Sequence, residues 1–79
     1  MADSVKVYGT STCPYCQKAK QFLKDSNVRF EDIDVSSDKE KAKEMSEKSG
    51  QMGVPVIDID GKIIVGFEEG EIKEALGIQ

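Results

Sequence analysis

The sequence predicts an α/β domain with one mixed four-stranded sheet flanked by three helices, in the order β-α-β-α-β-β-α. Three observations carry this. The chain opens with a strand-helix-strand pattern, which calls for two parallel strands joined by a right-handed crossover. The second strand turns apolar residues to both sides, as a sheet covered on both faces allows. Near the C-terminus, Asp60-Gly61 joins two apolar runs and reads as a two-residue hairpin, so those strands are antiparallel.

Each element has its own signal. Val5-Lys6-Val7-Tyr8 alternates and reads as the first strand, ending at Gly9. Thr10-Ser11-Thr12 is a polar loop, and Cys13-Pro14 opens a helix because proline suits the first helical position. Ala19, Phe22 and Leu23 form its buried face, and Asn27 suits a left-handed exit. The second strand is placed at Val28 to Val35, with Val28 and Phe30 on one face and Ile33 and Val35 on the other. Ser37-Asp38-Lys39-Glu40 fits a capping box, with Ser37 as N-cap and Glu40 reaching back. The helix that follows is mostly charged, with Glu44–Lys48 as an i, i+4 pair and Ala42 and Met45 as its apolar stripe. It is placed at the sheet periphery and ends at Gly50. Val54 to Ile59 is the third strand and Lys62 to Val65 the fourth. After Gly66-Phe67, a last helix buries Ile72, Ala75 and Leu76, carries Glu68, Glu69 and Glu71 at its start, and ends at Gly77.

Length and composition narrow the function. The 79 residues make a single domain over residues 1–79, with a small core and no large enclosed substrate pocket. Lys plus Arg is 11 and Asp plus Glu is 15, a net charge of -4 with no basic run. That balance argues against nucleic acid and anionic membrane as partners. No apolar run approaches the roughly 20 residues of a membrane span. Met1-Ala2-Asp3-Ser4 has no signal-like flank, so the expected location is cytoplasmic. With no His, Cys–His and Ser–His catalysis and His-ligated metal chemistry are excluded.

The two cysteines stand together as Cys13-Pro14-Tyr15-Cys16. With Pro14 as first helical residue, Cys13 is the N-cap, and its sulfur accepts from the amides of Tyr15 and Cys16. Those donors and the helix dipole favour a thiolate. Cys16 lies one turn inward on the core side, close enough for a disulfide. Cys13 is then the nucleophile and Cys16 the resolving thiol. Two other uses of the spacing weigh less. A zinc site needs two more soft or imidazole ligands, and none exist. A purely structural disulfide across so short a loop constrains the unfolded chain little.

Val7-Tyr8 followed by Cys13-Pro14-Tyr15-Cys16 resembles the active-site segment of glutaredoxins. Gly53-Val54-Pro55 resembles that family's T-V-P segment with its cis proline, and Gly66-Phe67-Glu68-Glu69 stands in the place of its G-G-x-D-D segment. The resemblance covers nearly the whole chain and implies a thioredoxin-like fold. It implies a monomeric thiol–disulfide oxidoreductase that takes glutathione as co-substrate and holds no cofactor tightly. Its substrates would be disulfide-containing or glutathionylated proteins. Tyr15 would line the glutathione groove, and the Val54 backbone would pair with the glutathione cysteine. Pro55, if cis, would aim that backbone, although the residues alone favour a plain edge-strand or strand-start proline. The Phe67 and Glu68 amides would hold the γ-glutamyl carboxylate, with Glu68 or Glu69 facing its amino group.

Two departures keep alternatives open. Thr10 stands where many glutaredoxins have a lysine for the glycine carboxylate. Gly66-Phe67 and Ser49 to Pro55 resemble, respectively, the redoxins that feed ribonucleotide reductase and a short bacterial glutaredoxin-like group. A redoxin recharged by thioredoxin reductase is therefore the first alternative. An iron–sulfur cluster carrier is the second, and Pro14-Tyr15 is held unfavourable to it.

Overall fold

The computed structural model describes residues 4–51 and 53–77. Among these the elements follow in the order expected: β1 (Val5–Gly9), α1 (Pro14–Asp25), β2 (Glu31–Asp34), α2 (Lys39–Ser49), β3 (Val56–Ile59), β4 (Lys62–Val65) and α3 (Glu69–Leu76). The sheet order is β2-β1-β3-β4. β1 runs parallel to β2 and antiparallel to β3, and the β3–β4 hairpin is antiparallel. Its turn places Asp60 at φ 51° and Gly61 at φ 95°, the left-handed pair that a two-residue hairpin requires.

Strand alternation sorts the side chains onto two faces. On one, Val5, Val7, Ile57, Ile59 and Ile64 meet Ala19 and Leu23 of α1 and Ile72 and Leu76 of α3. On the other, Tyr8, Ile33 and Val56 meet Met45 of α2. The two-sided reading of the second strand holds: Val28 and Phe30 pack with the first group, Val35 with the second.

The structure corrects four details. β2 is shorter than Val28 to Val35, because the Val28 N–H is spent on the Leu23 carbonyl at 2.9 Å and ties that stretch to the end of α1. β3 starts at Val56 rather than Val54, after the N–H-less Pro55. The N-cap of α2 is Asp38, whose carboxylate accepts the Lys41 N–H at 3.1 Å. Ser36 and Ser37 instead turn back onto Asp34, so the Ser37–Glu40 capping box does not form.

The fourth correction concerns α2 itself, which covers the second face of the sheet rather than its edge. Glu44 and Lys48 do not pair with each other. The Tyr8 hydroxyl donates to Glu44 at 2.9 Å and accepts from Lys48 at 3.0 Å, and Lys48 also pairs with Asp58 at 2.8 Å. Asp58 accepts the Gly61 N–H as well, at 2.8 Å. Burial pushes the Asp58 carboxyl up, but Lys48 and the Gly61 amide outweigh it and hold it below its ordinary value. The same bonds raise Lys48. A helix with little apolar surface is thus held by a polar cluster under the sheet.

Candidate active site

The register of the sheet gathers the expected site at one end. Tyr8 faces Val56, and Val56 faces Val65. One residue further on, Gly9, Pro55 and Gly66 lie at that same end. The Gly66 N–H donates to the Pro55 carbonyl at 2.8 Å. α1 starts five residues after Gly9, and α3 three residues after Gly66, so both helices point their N-termini toward this end.

Cys13 is the N-cap of α1, with extended backbone at φ -89° and ψ 115°. Its sulfur accepts the Cys16 N–H at 3.2 Å. Burial alone pushes this thiol up. The Cys16 thiol, the Cys16 and Tyr15 amides and the Lys20 charge outweigh that, and the net effect holds it below its ordinary value. Cys16 is fully buried. Burial, followed by donation of its own S–H to Cys13, pushes it up to about 11. At neutral pH a thiol near that value is ionised in only about one molecule in ten thousand. The first proton therefore leaves Cys13.

Gly9 makes this approach possible. A Cβ there would lie 2.7 Å from the Cys16 sulfur, closer than packed atoms allow. In the sequence Gly9 reads only as a strand end, and nothing there signals its contact with Cys16. Nothing in the sequence signals the clamp formed by Gln51 either. That side chain amide donates to the Gly53 carbonyl at 3.0 Å and to Ser49 Oγ at 3.3 Å, and its oxygen accepts the Gly53 N–H. The clamp shapes the approach to Val54 and Pro55, whose peptide bond is cis. Met52 lies outside the described residues.

The other expected residues distribute as follows. Tyr15 is exposed, with Lys18 Nζ 5.1 Å from its ring centre. Val54 is half-buried beside the second-face cluster, and Pro55 is buried. Phe67 packs edge-on against Phe22, with ring centres 6.1 Å apart. The Glu68 N–H donates to the Gly66 carbonyl at 3.1 Å, and its side chain makes no capping bond to α3. Glu69 pairs with Lys73 at 3.5 Å along the helix.

A parallel strand leading through a short turn into a helix capped by one cysteine, with a second cysteine buried one turn on, defines a dithiol oxidoreductase site on a thioredoxin-like fold. The comparisons with known proteins specify the class. The Glutaredoxin family model matches residues 5–64. A glutaredoxin-like 8.6 kDa protein from the rubredoxin operon of Clostridium pasteurianum is 49% identical over 72 residues, covering 91% of this chain and 96% of that protein. Glutaredoxin 3 of Escherichia coli is 35% identical over 74 residues, covering 94% and 89%. A crystal structure of a thioredoxin-like protein superposes with a TM-score of 0.91 at 30% identity, covering 98% of this chain and 99% of that one. The chain belongs to the glutaredoxin family, and its Cys13–Cys16 pair makes it a glutaredoxin-type thiol–disulfide oxidoreductase.

Proposed function

We propose that Cys13 attacks a protein disulfide or a glutathione mixed disulfide, that Cys16 resolves the intermediate, and that glutathione recharges the resulting disulfide. The observation that carries the division of labour is the opposite displacement of the two thiols, one held down at a helix N-cap and the other pushed up by burial. The glutathione would lie along Tyr15, Val54 and Pro55, with its γ-glutamyl end at Phe67, Glu68 and Glu69. Support for that groove is the gathering of Gly9, Pro55 and Gly66 at one end of the sheet. Binding of the γ-glutamyl carboxylate requires the Glu68 N–H to exchange its Gly66 partner for the ligand.

Thr10 supplies no charge for the glycine carboxylate, which favours a second reading in which a flavoprotein reductase recharges the dithiol. One turnover assay separates the two. Reduction of a mixed disulfide is followed with glutathione and its reductase, and in parallel with thioredoxin reductase. Glutathione-driven turnover is the expected result. Turnover with thioredoxin reductase alone would replace glutathione as the electron donor and leave the dithiol chemistry standing.

A further inference from the structure

The dithiol reading leaves one step without an evident aid. Cys16 must become a thiolate to attack, yet it is fully buried against Gly9, and this burial, the largest cause of its raised proton affinity, persists when Cys13 is held in the mixed disulfide. Gly9 and Thr10 also line a cleft of about 360 Å³ between α1 and the end of β2, together with Gln17, Lys20, Asp32 and Asp34 and, at its outer end, the exposed Lys24. Lys20 sits four residues after Cys16, one turn along the same side of α1. Its side chain is only 13% exposed, and its ammonium is fixed by Asp32 at 3.1 Å.

We propose that Lys20, anchored by Asp32, is a positioning residue for the resolving step, where its ammonium favours the thiolate that Cys16 must form. This rests on the dithiol reading above and adds a residue to it. In the step itself, the Cys16 proton passes to solvent and the Cys16 thiolate attacks Cys13 Sγ. The Cys13–Cys16 bond forms as the bond from Cys13 to the substrate sulfur breaks. The substrate leaves as a thiolate with the bonding electron pair and takes up a proton. The mixed disulfide is the oxidant consumed.

The surroundings single out Lys20 among the cations. Lys18 is turned over the Tyr15 ring, and Lys24 is exposed a further turn away. Lys48 is engaged under the opposite face of the sheet. The charged groups facing Cys16 are Cys13, the N-cap of α1, and Lys20 from the middle of the same helix. β1 turns Val5, Val7 and Gly9 to this side, none of them charged, and the Thr10 amide donates toward the sulfur. Asp32 and Asp34 of β2 line the Lys20 cleft, where Asp32 holds the ammonium. The Lys20 charge lowers the proton affinity of both sulfurs.

The test uses the reduced full chain mixed rapidly with a symmetrical aromatic disulfide whose released thiolate is coloured. The first equivalent reports attack by Cys13, and the second reports resolution by Cys16. In Lys20→Gln the second phase should slow about threefold to tenfold at neutral pH, and its pH midpoint should rise by about half to one pH unit. Lys20→Arg should restore both, whereas Lys24→Gln should behave as the parent protein. Lys20→Met, which keeps the apolar stem, gives the same readout if the glutamine variant does not fold. A second phase with unchanged rate and midpoint in the neutral variants, or an arginine variant as slow as the glutamine one, would overturn the proposal. Release of the second equivalent by Cys16→Ser would instead sink the dithiol reading itself.

Discussion

On one face of the sheet, α1 and α3 bury an apolar layer, and the cysteine pair stands at the N-terminal end of α1. On the other, α2 buries Met45 and little else, and its hold depends on Tyr8, Glu44, Lys48 and Asp58. Both faces place ionisable groups out of water, with opposite results. Under α2 each charge has a partner, so the cluster is satisfied and inert. At α1 the two thiols sit in unequal environments, one held below its ordinary pKa and the other pushed above it, and the proposed division of labour rests on that inequality. Burial alone does not separate the two faces; what separates them is whether the buried group has a partner that offsets it.

The largest effect that separates the faces is loss of the nucleophile. Cys13→Ser should abolish disulfide reduction. Cys16→Ser should still take up glutathione from a glutathionylated substrate and stop at the mixed disulfide, as mass spectrometry of the quenched reaction would show. Cys13→Ser should leave the thermal midpoint nearly unchanged, whereas Cys16→Ser, which exchanges a fully buried sulfur for a smaller polar hydroxyl, should lower it.

Next comes Gly9, where the apolar face meets the site. Gly9→Val places a side chain against the Cys16 sulfur and should destabilise the chain by about 1–3 kcal/mol in denaturant unfolding. The resolving phase should slow more than the first phase. Gly50→Ala, at an open left-handed helix end, should cost less and leave both phases unchanged.

The polar face answers to pH rather than to redox assays. Asp58 is held below its ordinary pKa in the fold, so its contribution is present above the unfolded value near 4 and is lost as pH falls through the folded value. Lys48 is raised, so its contribution is present below the unfolded value near 10 and is lost as pH rises through the folded one. Asp58→Asn should cost about 1–2 kcal/mol at neutral pH, measured by urea unfolding. It should flatten the acid limb of the stability curve, with Cys13 reactivity unchanged. The smallest effect expected is at Thr10. Thr10→Lys should tighten glutathione about tenfold by supplying one charge-assisted bond, and added salt should erode the gain. Titration calorimetry in the Cys16→Ser background measures it.

How much was legible in the sequence follows the range of the interactions. The N-cap role of Cys13, the exit at Asn27 (φ 59°) and the Asp60-Gly61 turn depend on neighbours within four residues, and each stands where the sequence placed it. The same locality misled at Ser37, because Asp38 competes for the same cap and the serines had a partner in Asp34. The Tyr8–Lys48–Asp58 cluster joins residues 40 and 10 positions apart. No period in the chain announces it, so Glu44 and Lys48 looked like an ordinary surface pair. Gly9 and Lys20 fall between these cases. Lys20 shares a helix side with Cys16, which the spacing shows, but its burial and its partner Asp32 exist only once β2 lies beside α1.

The unequal acidity of the two thiols can be measured directly. Reduced protein is alkylated over a range of pH, and the label on each cysteine is quantified after digestion. Cys13 should react first, with a midpoint below the roughly 8.5 of a free thiol, while Cys16 stays unlabelled until well above it. Equal midpoints, or earlier labelling of Cys16 at neutral pH, would contradict the roles assigned to the pair.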